Sequence, residues 1–118
     1  MAVETDAQTF AAGQNPQITM RIQNIGTADC TRNIGSDANT VEISSGGVLV
    51  WSSDDCQEPG TADLNTLEPD KVATLNVTWD RTASTGGCDN PAEAAPGAYE
   101  VVGKNLGVDS EEVSFILE

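Results

Sequence analysis

Short segments of this chain alternate strictly between apolar and polar residues. The alternation runs without a break through Gln17–Gln23 and again through Ala73–Trp79. The odd positions of Glu112–Leu117 continue it near the end of the chain. Because successive side chains of a strand point to opposite faces, this period predicts strands with one face on a core and one in water.

Turn residues divide the sequence into about seven such segments at the spacing expected of a β-sandwich or barrel. The predicted strands are Val3–Phe10, Gln17–Gln23, Thr40–Ile43, Val48–Trp51, Ala73–Trp79, Ala98–Val102 and Glu112–Leu117. Gly46 and Gly47 lie between the third and fourth strands, where they predict a hairpin turn with positive φ. A chain of 118 residues can bury one core. The sequence therefore predicts an all-β, immunoglobulin-like sandwich in a single domain over residues 1–118.

The alternation also predicts which side chains face the core. The aromatic members are Trp51, Trp79, Tyr99 and Phe115, which should supply much of its bulk. The aliphatic members are Ile18, Met20, Ile22, Val41, Ile43, Leu75, Val77, Val101, Val113 and Leu117. Two connections, residues 54–67 and 80–97, are long enough to be candidates for function or flexibility.

The charge of the chain excludes several function classes. The formal net charge is −14, from 19 acidic and 5 basic residues, and there is no histidine. A nucleic-acid backbone or an anionic membrane surface needs the opposite charge, and histidine-based catalysis or metal binding is excluded. No apolar stretch approaches about 18 residues, so no membrane insertion is expected. The charge favours solubility or, more specifically, a basic partner protein or a bound cation.

Three cysteines bear on the compartment. Cys30, Cys56 and Cys88 form no CxxC pair and lie in turn-like surroundings, which favours a disulfide over zinc. A Cys56–Cys88 bridge would close a loop of about 32 residues and stabilise by about 3–4 kcal/mol. Cys30–Cys56 stays open as the alternative. One disulfide indicates an oxidising, extracytoplasmic compartment, and the remaining thiol allows a monomer or a cysteine-linked dimer.

Several motifs between Ile18 and Val102 resemble the intracellular proteinase inhibitor family of bacilli, the BsuPI-like domains. The most specific are Val50-Trp51, Thr78-Trp79-Asp80 and Pro96-Gly97-Ala98-Tyr99. The stretch Trp51–Cys56 is more similar still to secreted or membrane-anchored domains of actinobacteria. The resemblance to the inhibitor family implies the sandwich fold. The cysteines, together with the similarity to the actinobacterial domains, indicate an extracytoplasmic location. Because a strand-like segment directly follows Met1, we expect a leader or anchor upstream.

The same resemblance implies a candidate binding loop in the second long connection. If the chain inhibits proteinases, this loop would occupy the protease cleft, and a disulfide at Cys88 would pre-organise it. The candidate residues are Asp80, Arg81, Thr82, Ser84, Asp89 and Asn90. The chain departs from the family in its cysteines and in Asp70, where the family usually has glycine.

No nucleophile–base set, phosphate loop or pair of catalytic carboxylates is recognisable, so no enzyme activity and no cofactor or metal is expected. We expect a non-catalytic binding or structural module of a bacterial cell-envelope protein. Its partner would be a protein, such as a protease or an envelope protein. The alternative is a BsuPI-like proteinase inhibitor that acts through the exposed loop.

Overall fold

The computed structural model describes residues 2–35, 38–53, 62–84 and 92–118. Over these ranges the chain is all-β, with eleven strands and no helix, and hence no helix able to cross a membrane. The strands are β1 Ala2–Thr5, β2 Thr9–Phe10, β3 Gln17–Gln23, β4 Cys30–Asn33, β5 Asn39–Ser45, β6 Val48–Ser52, β7 Leu64–Leu67, β8 Val72–Thr78, β9 Gly97–Asn105, β10 Val108–Asp109 and β11 Val113–Leu117.

The strands form two main sheets that face each other. The first has the order β1-β3-β8, and the second has the order β2-β11-β9-β5-β6 with β10 paired to β9. A separate two-stranded sheet, β4-β7, lies beside them. Every pairing is antiparallel except that of β2 with β11. This confirms the prediction of an all-β, immunoglobulin-like sandwich.

The predicted first strand, Val3–Phe10, is wrong as a single element. Its first half pairs with β3 and its second half crosses to β11 in the other sheet. The chain bends at Asp6, whose carboxylate accepts the Gln17 amide at 3.1 Å. Val3 and Phe10 are both buried, yet an odd spacing would point them to opposite faces of one strand. Changing sheets lets both side chains reach the core.

Other elements also differ from the predicted strands, and β5, at Asn39–Ser45, is longer than the predicted Thr40–Ile43. β4 and β7 were not predicted, because Cys30–Asn33 is mostly polar and Leu64–Leu67 is short. The two-residue β10 was also missed, and β9 continues three residues beyond the predicted Val102. The predicted hairpin at Gly46-Gly47 is confirmed, with φ of 60° and 82° at the two glycines. These values match a two-residue primed turn.

The core combines both sheets. The main cluster of buried residues is Val3, Phe10, Ile18, Met20, Val41, Ile43, Trp79, Tyr99, Val101, Phe115 and Leu117. Ile22 belongs to a smaller cluster with Leu67 and Ala73. Of the predicted core residues, Trp51, Leu75, Val77 and Val113 are only half-buried, although they still pack against the main cluster. Gly103 leaves room for Met20, whose Cε would lie 3.1 Å from an added Cβ.

Trp79 is the centre of the aromatic packing. Its ring centroid lies 5.5 Å from that of Tyr99, 6.0 Å from that of Phe115 and 6.5 Å from that of Trp51. Phe10 meets Phe115 edge-to-face at 5.9 Å. These separations and tilts are the favourable ones for aromatic pairs. The half of the sandwich near the start of β9 is therefore held by rings.

Candidate functional site

The described part of the candidate binding loop forms a stem. We use "loop stem" for residues 80–84 and 92–96, which flank the undescribed residues 85–91. Thr82 and Glu93 form an isolated antiparallel bridge. The Ala83 amide donates to the Ala92 carbonyl at 2.8 Å, and the Ala94 amide donates to the Arg81 carbonyl at 2.7 Å. The two ends of the connection are therefore paired as at the base of a hairpin.

Arg81 was predicted to be exposed and is instead 6% exposed. Its guanidinium donates to the carbonyls of Ala11, Gln14 and Glu118 at 2.7, 3.2 and 3.1 Å. The buried charge is thus stabilised by carbonyl dipoles and ties three chain segments together. The expectation that Arg81 is available to a partner is wrong, and sequence reasoning missed it because an arginine after an aspartate is typical of a solvated surface.

Ser84 is also buried, which corrects the second expectation of exposure. Its amide donates to the Val50 carbonyl at 3.0 Å, and its hydroxyl accepts the Ser52 amide at 3.0 Å. These bonds dock the loop stem onto the edge of β6. Asp89 and Asn90 lie outside the described residues, so the structure does not place them.

The exposed groups of the loop stem are acidic. Asp80 is exposed, and its carboxylate accepts the Thr82 hydroxyl at 2.5 Å and the Thr82 amide at 3.2 Å. Glu93, opposite Thr82, is exposed as well. Of the predicted loop residues, Asp80 and the half-buried Thr82 are the described ones that reach solvent. The stem therefore presents two carboxylates to any partner.

Two core aromatics fix the ends of the loop stem. The Trp79 indole Nε1 donates to the Thr82 carbonyl at 2.9 Å. The Tyr99 hydroxyl donates to the Ala95 carbonyl at 2.5 Å. A tyrosine that bonds the backbone a few residues upstream is the tyrosine corner of Greek-key sandwiches. The position of the stem is therefore set by the aromatic part of the core.

The disulfide predictions fall mostly outside the described residues. Cys56 and Cys88 are both undescribed, and Cys30 is a free, exposed cysteine on β4. The structure does bring Ser52 and Ser84 into contact. The Cys56–Cys88 bridge and its alternative, Cys30–Cys56, both stay predictions.

The opposite end of the sandwich has a buried polar cluster that the sequence did not reveal. Asn105 is 0% exposed. Its side-chain amide donates to the Asn33 carbonyl at 3.0 Å and to Asn39 Oδ1 at 2.7 Å, while its Oδ1 accepts from Arg32 Nε. Beside it lies a cavity of about 240 Å³, lined by Ile22, Asn24, Cys30, Arg32, Leu67 and Val108. An asparagine before Leu106-Gly107 is typical of a turn, so no sequence signal marked it as buried.

The charged side chains leave the surface strongly acidic. Arg21 pairs with Glu4, and Lys104 pairs with Glu42, both at 2.5 Å. The pKa of Lys104 is raised above 10.5. The largest cause is the hydrogen bond to Glu42, and the negative charges of Glu42 and Asp109 contribute less. Within the described ranges no three Asp, Glu, Cys or His side chains are grouped so that they could hold a metal.

No family model matches the sequence, and no curated protein matches it. The fold recurs within larger solved proteins. A β-glucosidase from Erythrobacter marinus matches 100% of this chain with a TM-score of 0.60 at 12% identity, over 15% of its own length. A β-glucosidase from Listeria innocua in complex with glucose matches 98%, with a TM-score of 0.57 at 10% identity, again over 15% of its length.

A third similar structure is the alkylpurine DNA glycosylase AlkC of Pseudomonas fluorescens bound to DNA containing an abasic site analog. It matches 99% of this chain with a TM-score of 0.59 at 10% identity, over 30% of its own length. Identities this low establish the β-sandwich fold and nothing about activity. The chain spans less than a third of each of these proteins. The resemblance to the BsuPI-like family stays a prediction.

Proposed function

We propose that this chain is a non-catalytic, immunoglobulin-like binding module of an extracytoplasmic cell-envelope protein, and that its partner is a basic protein. The main support for the proposal is the excess of acidic over basic side chains and the positions of the few basic ones. Of the 5 basic residues, Arg81 is buried among carbonyls and Arg32 is bonded to Asn105. Arg21 and Lys104 are paired with carboxylates. Lys71 is the fifth basic residue and is exposed, so five cations are outnumbered by 19 acidic residues.

Such a surface attracts cationic partners and speeds their association. The comparisons support a modular role, because the similar β-sandwich is 15% of the length of the β-glucosidases. A sandwich that recurs as a small part of larger chains suits an accessory binding unit. The extracytoplasmic location rests on the cysteine interpretation and on the sequence resemblance.

The test is to titrate the protein with a lysine-rich peptide and to compare two charge-matched double variants. Asp80→Asn with Glu93→Gln removes the two exposed carboxylates of the loop stem. Glu111→Gln with Glu112→Gln removes two exposed carboxylates elsewhere. If the stem is part of the binding surface, the first variant loses several-fold more affinity than the second. Equal losses of affinity in the two variants would mean that the peptide responds only to the net charge of the protein. If the unmodified protein does not bind the peptide at all, the proposal is overturned.

A second candidate function, proteinase inhibition, is favoured by the paired base of the loop stem. Inhibitors gain affinity when the inserted loop is pre-organised, and residues 81–84 and 92–94 are fixed to each other and to β6. Arg81 is the only cation of the connection, and its guanidinium is committed to three carbonyls. A trypsin-like pocket therefore has no basic side chain to accept, and a subtilisin-like protease is the better target.

Titration of subtilisin-like and trypsin-like proteases with the oxidised protein decides this alternative. An inhibitor abolishes protease activity near a one-to-one ratio and stays intact. Unchanged activity across both classes would retire the inhibitor hypothesis and leave the binding module.

A further inference from the structure

The two main sheets have four outer edges, and three of them are protected against pairing with another chain. β2 has two residues, too few to offer a template. β6 has a register shift against β5 at Ile43/Ser44, and its Val50 carbonyl is occupied by the Ser84 amide. β1 has four residues and carries the Glu4–Arg21 ion pair. Short length, bulges and charges are the usual ways of blocking an edge.

The fourth edge, β8, has none of these protections. It has seven residues, and its register with β3 is continuous from Gln23↔Val72 to Gln17↔Thr78. Its sequence, VATLNVT, contains no charge and no proline. It ends the strand order of its sheet, so within the described ranges no strand pairs with its outer side. A long, regular and uncharged edge offers a row of backbone donors and acceptors to an added strand.

The side chains of β8 are also incompletely covered. Leu75 and Val77 point to the core but are only half-buried. Val72, Thr74 and Asn76 lie on the exposed face, where Val72 is 45% exposed. A neighbouring strand with the same apolar and polar alternation would cover the first set and contact the second.

Charges lie just beyond both ends of this edge. Glu68 and Asp70 precede β8, together with Lys71, and Asp80 follows it, and all four side chains are exposed. The acidic excess at each end favours an added strand with lysine or arginine at both of its ends. A second copy of this chain fits poorly, since antiparallel pairing centred on Leu75 would place Asp70 opposite Asp80.

We infer that the outer edge of β8 binds an extended segment of a basic partner protein as an additional strand of the first sheet. The segment alternates small apolar with uncharged polar residues and carries basic residues at its ends. Backbone hydrogen bonds would supply the binding and the alternation would set the register. This inference rests on the proposed function and names where and how the basic partner binds.

The probe is a capped peptide that alternates valine and threonine and ends in two lysines on each side. Two control peptides keep its length: one has glutamates for the lysines, and one has proline in place of the central valine. Backbone amide exchange of the protein is followed with and without each peptide. We expect the outward amides of β8 to exchange at least ten-fold more slowly with the lysine peptide, and those of β1 to be unchanged.

Substitutions at Thr74, exposed in the middle of β8, provide the matched pair of variants. Thr74→Lys should weaken binding of the lysine peptide roughly two- to five-fold, because it adds a positive charge to the edge that a cationic peptide must approach, and a lysine on an edge strand opposes the addition of another strand. Thr74→Glu should leave it equal or stronger. Circular dichroism of both variants confirms that the sheet persists.

Each other outcome is decisive. Equal binding of the lysine and proline peptides without slower exchange in β8 would overturn the added strand but leave the acidic binding module standing. Binding of none of the cationic peptides would overturn both proposals. In the absence of any peptide, the β8 amides could become more protected as the protein concentration is raised, and a dimer could be seen in sedimentation. That result would assign the edge to a second copy of this chain and overturn the proposal of a basic partner.

Discussion

Strand β9 enters the sandwich at Tyr99, among aromatic rings, and leaves it at Asn105, among amides and a guanidinium. The two residues are about 20 Å apart at the rise of an extended strand. At the first end, Tyr99 packs against Trp79 and Phe115. At the second end, Asn105 is bonded to Arg32, Asn33 and Asn39. We call these the aromatic end and the polar end.

The two ends differ in how they respond to damage. Packing of rings is spread over many weak contacts, so losing one polar atom there leaves most of the stabilisation in place. A buried amide cluster depends on every partner, because a donor or acceptor left without one bears the full cost of desolvation. The polar end should therefore be the more sensitive to a single polar substitution.

The largest expected effect is at the polar end. Asn105→Ala removes two donated hydrogen bonds and one accepted bond from a site that is 0% exposed. We expect the free energy of unfolding to fall by about 3 kcal/mol. Urea denaturation measures the loss, with Asn15→Ala as the control at an exposed asparagine. A loss below about 1 kcal/mol would mean that the cluster is not what stabilises this end.

A smaller loss is expected from the corresponding change at the aromatic end. Tyr99→Phe keeps the ring against Trp79 and Phe115 and removes only the bond to the Ala95 carbonyl. We expect a loss of about 1 kcal/mol in urea denaturation. A loss equal to that of Asn105→Ala would abolish the contrast between the two ends.

The contrast also explains which parts of the fold the sequence predicts. Period-2 alternation marks strands that bury one face, and Ile18, Met20 and Val101 are buried as the pattern predicts. Phe10 was missed as a core residue because the chain changes sheets before it. Arg81 and Asn105 were missed because polar residues are buried only where distant carbonyls and amides meet them. Alternation along one strand carries no information on those partners.

The candidate loop shows the same limit. Trp79 and Tyr99 were predicted as core residues, and both are buried. Their polar atoms also hold the loop stem, and no spacing in the sequence indicates this. The motif Pro96-Gly97-Ala98-Tyr99 drew attention to the tyrosine, but it did not predict the hydrogen bond from Tyr99 to the Ala95 carbonyl.

A gain of stability is expected near the polar end, in the turn that leads from β7 into β8. The Lys71 amide donates to the Glu68 carbonyl at 3.0 Å, and Asp70 has a φ of 67°. Glycine adopts this left-handed conformation at less steric cost than aspartate. Asp70→Gly should raise the free energy of unfolding by about 0.5–1 kcal/mol in urea denaturation. Asp70→Asn removes the charge but not the side chain, and an equal gain from it would attribute the effect to charge.

The smallest effect concerns the solvent side of the polar end, where Lys104 precedes Asn105. Its ammonium lies 2.5 Å from the Glu42 carboxylate, which raises the pKa of Lys104 above 10.5. A pKa raised by folding means that the pair stabilises the folded state fully below pH 10.5 and that this contribution is lost as the pH rises through the raised value. Because the pair is at the surface, the change is expected to be slight. Glu42→Gln should return the pKa of Lys104 toward 10.5 in an NMR titration of its side chain, and Asp109→Asn should lower it less. If Asp109→Asn changes the pKa of Lys104 more than Glu42→Gln does, the hydrogen bond to Glu42 is not the main cause of the raised pKa. The surface of the polar end would then depend on the summed charge of several carboxylates, whereas its interior depends on specific hydrogen bonds.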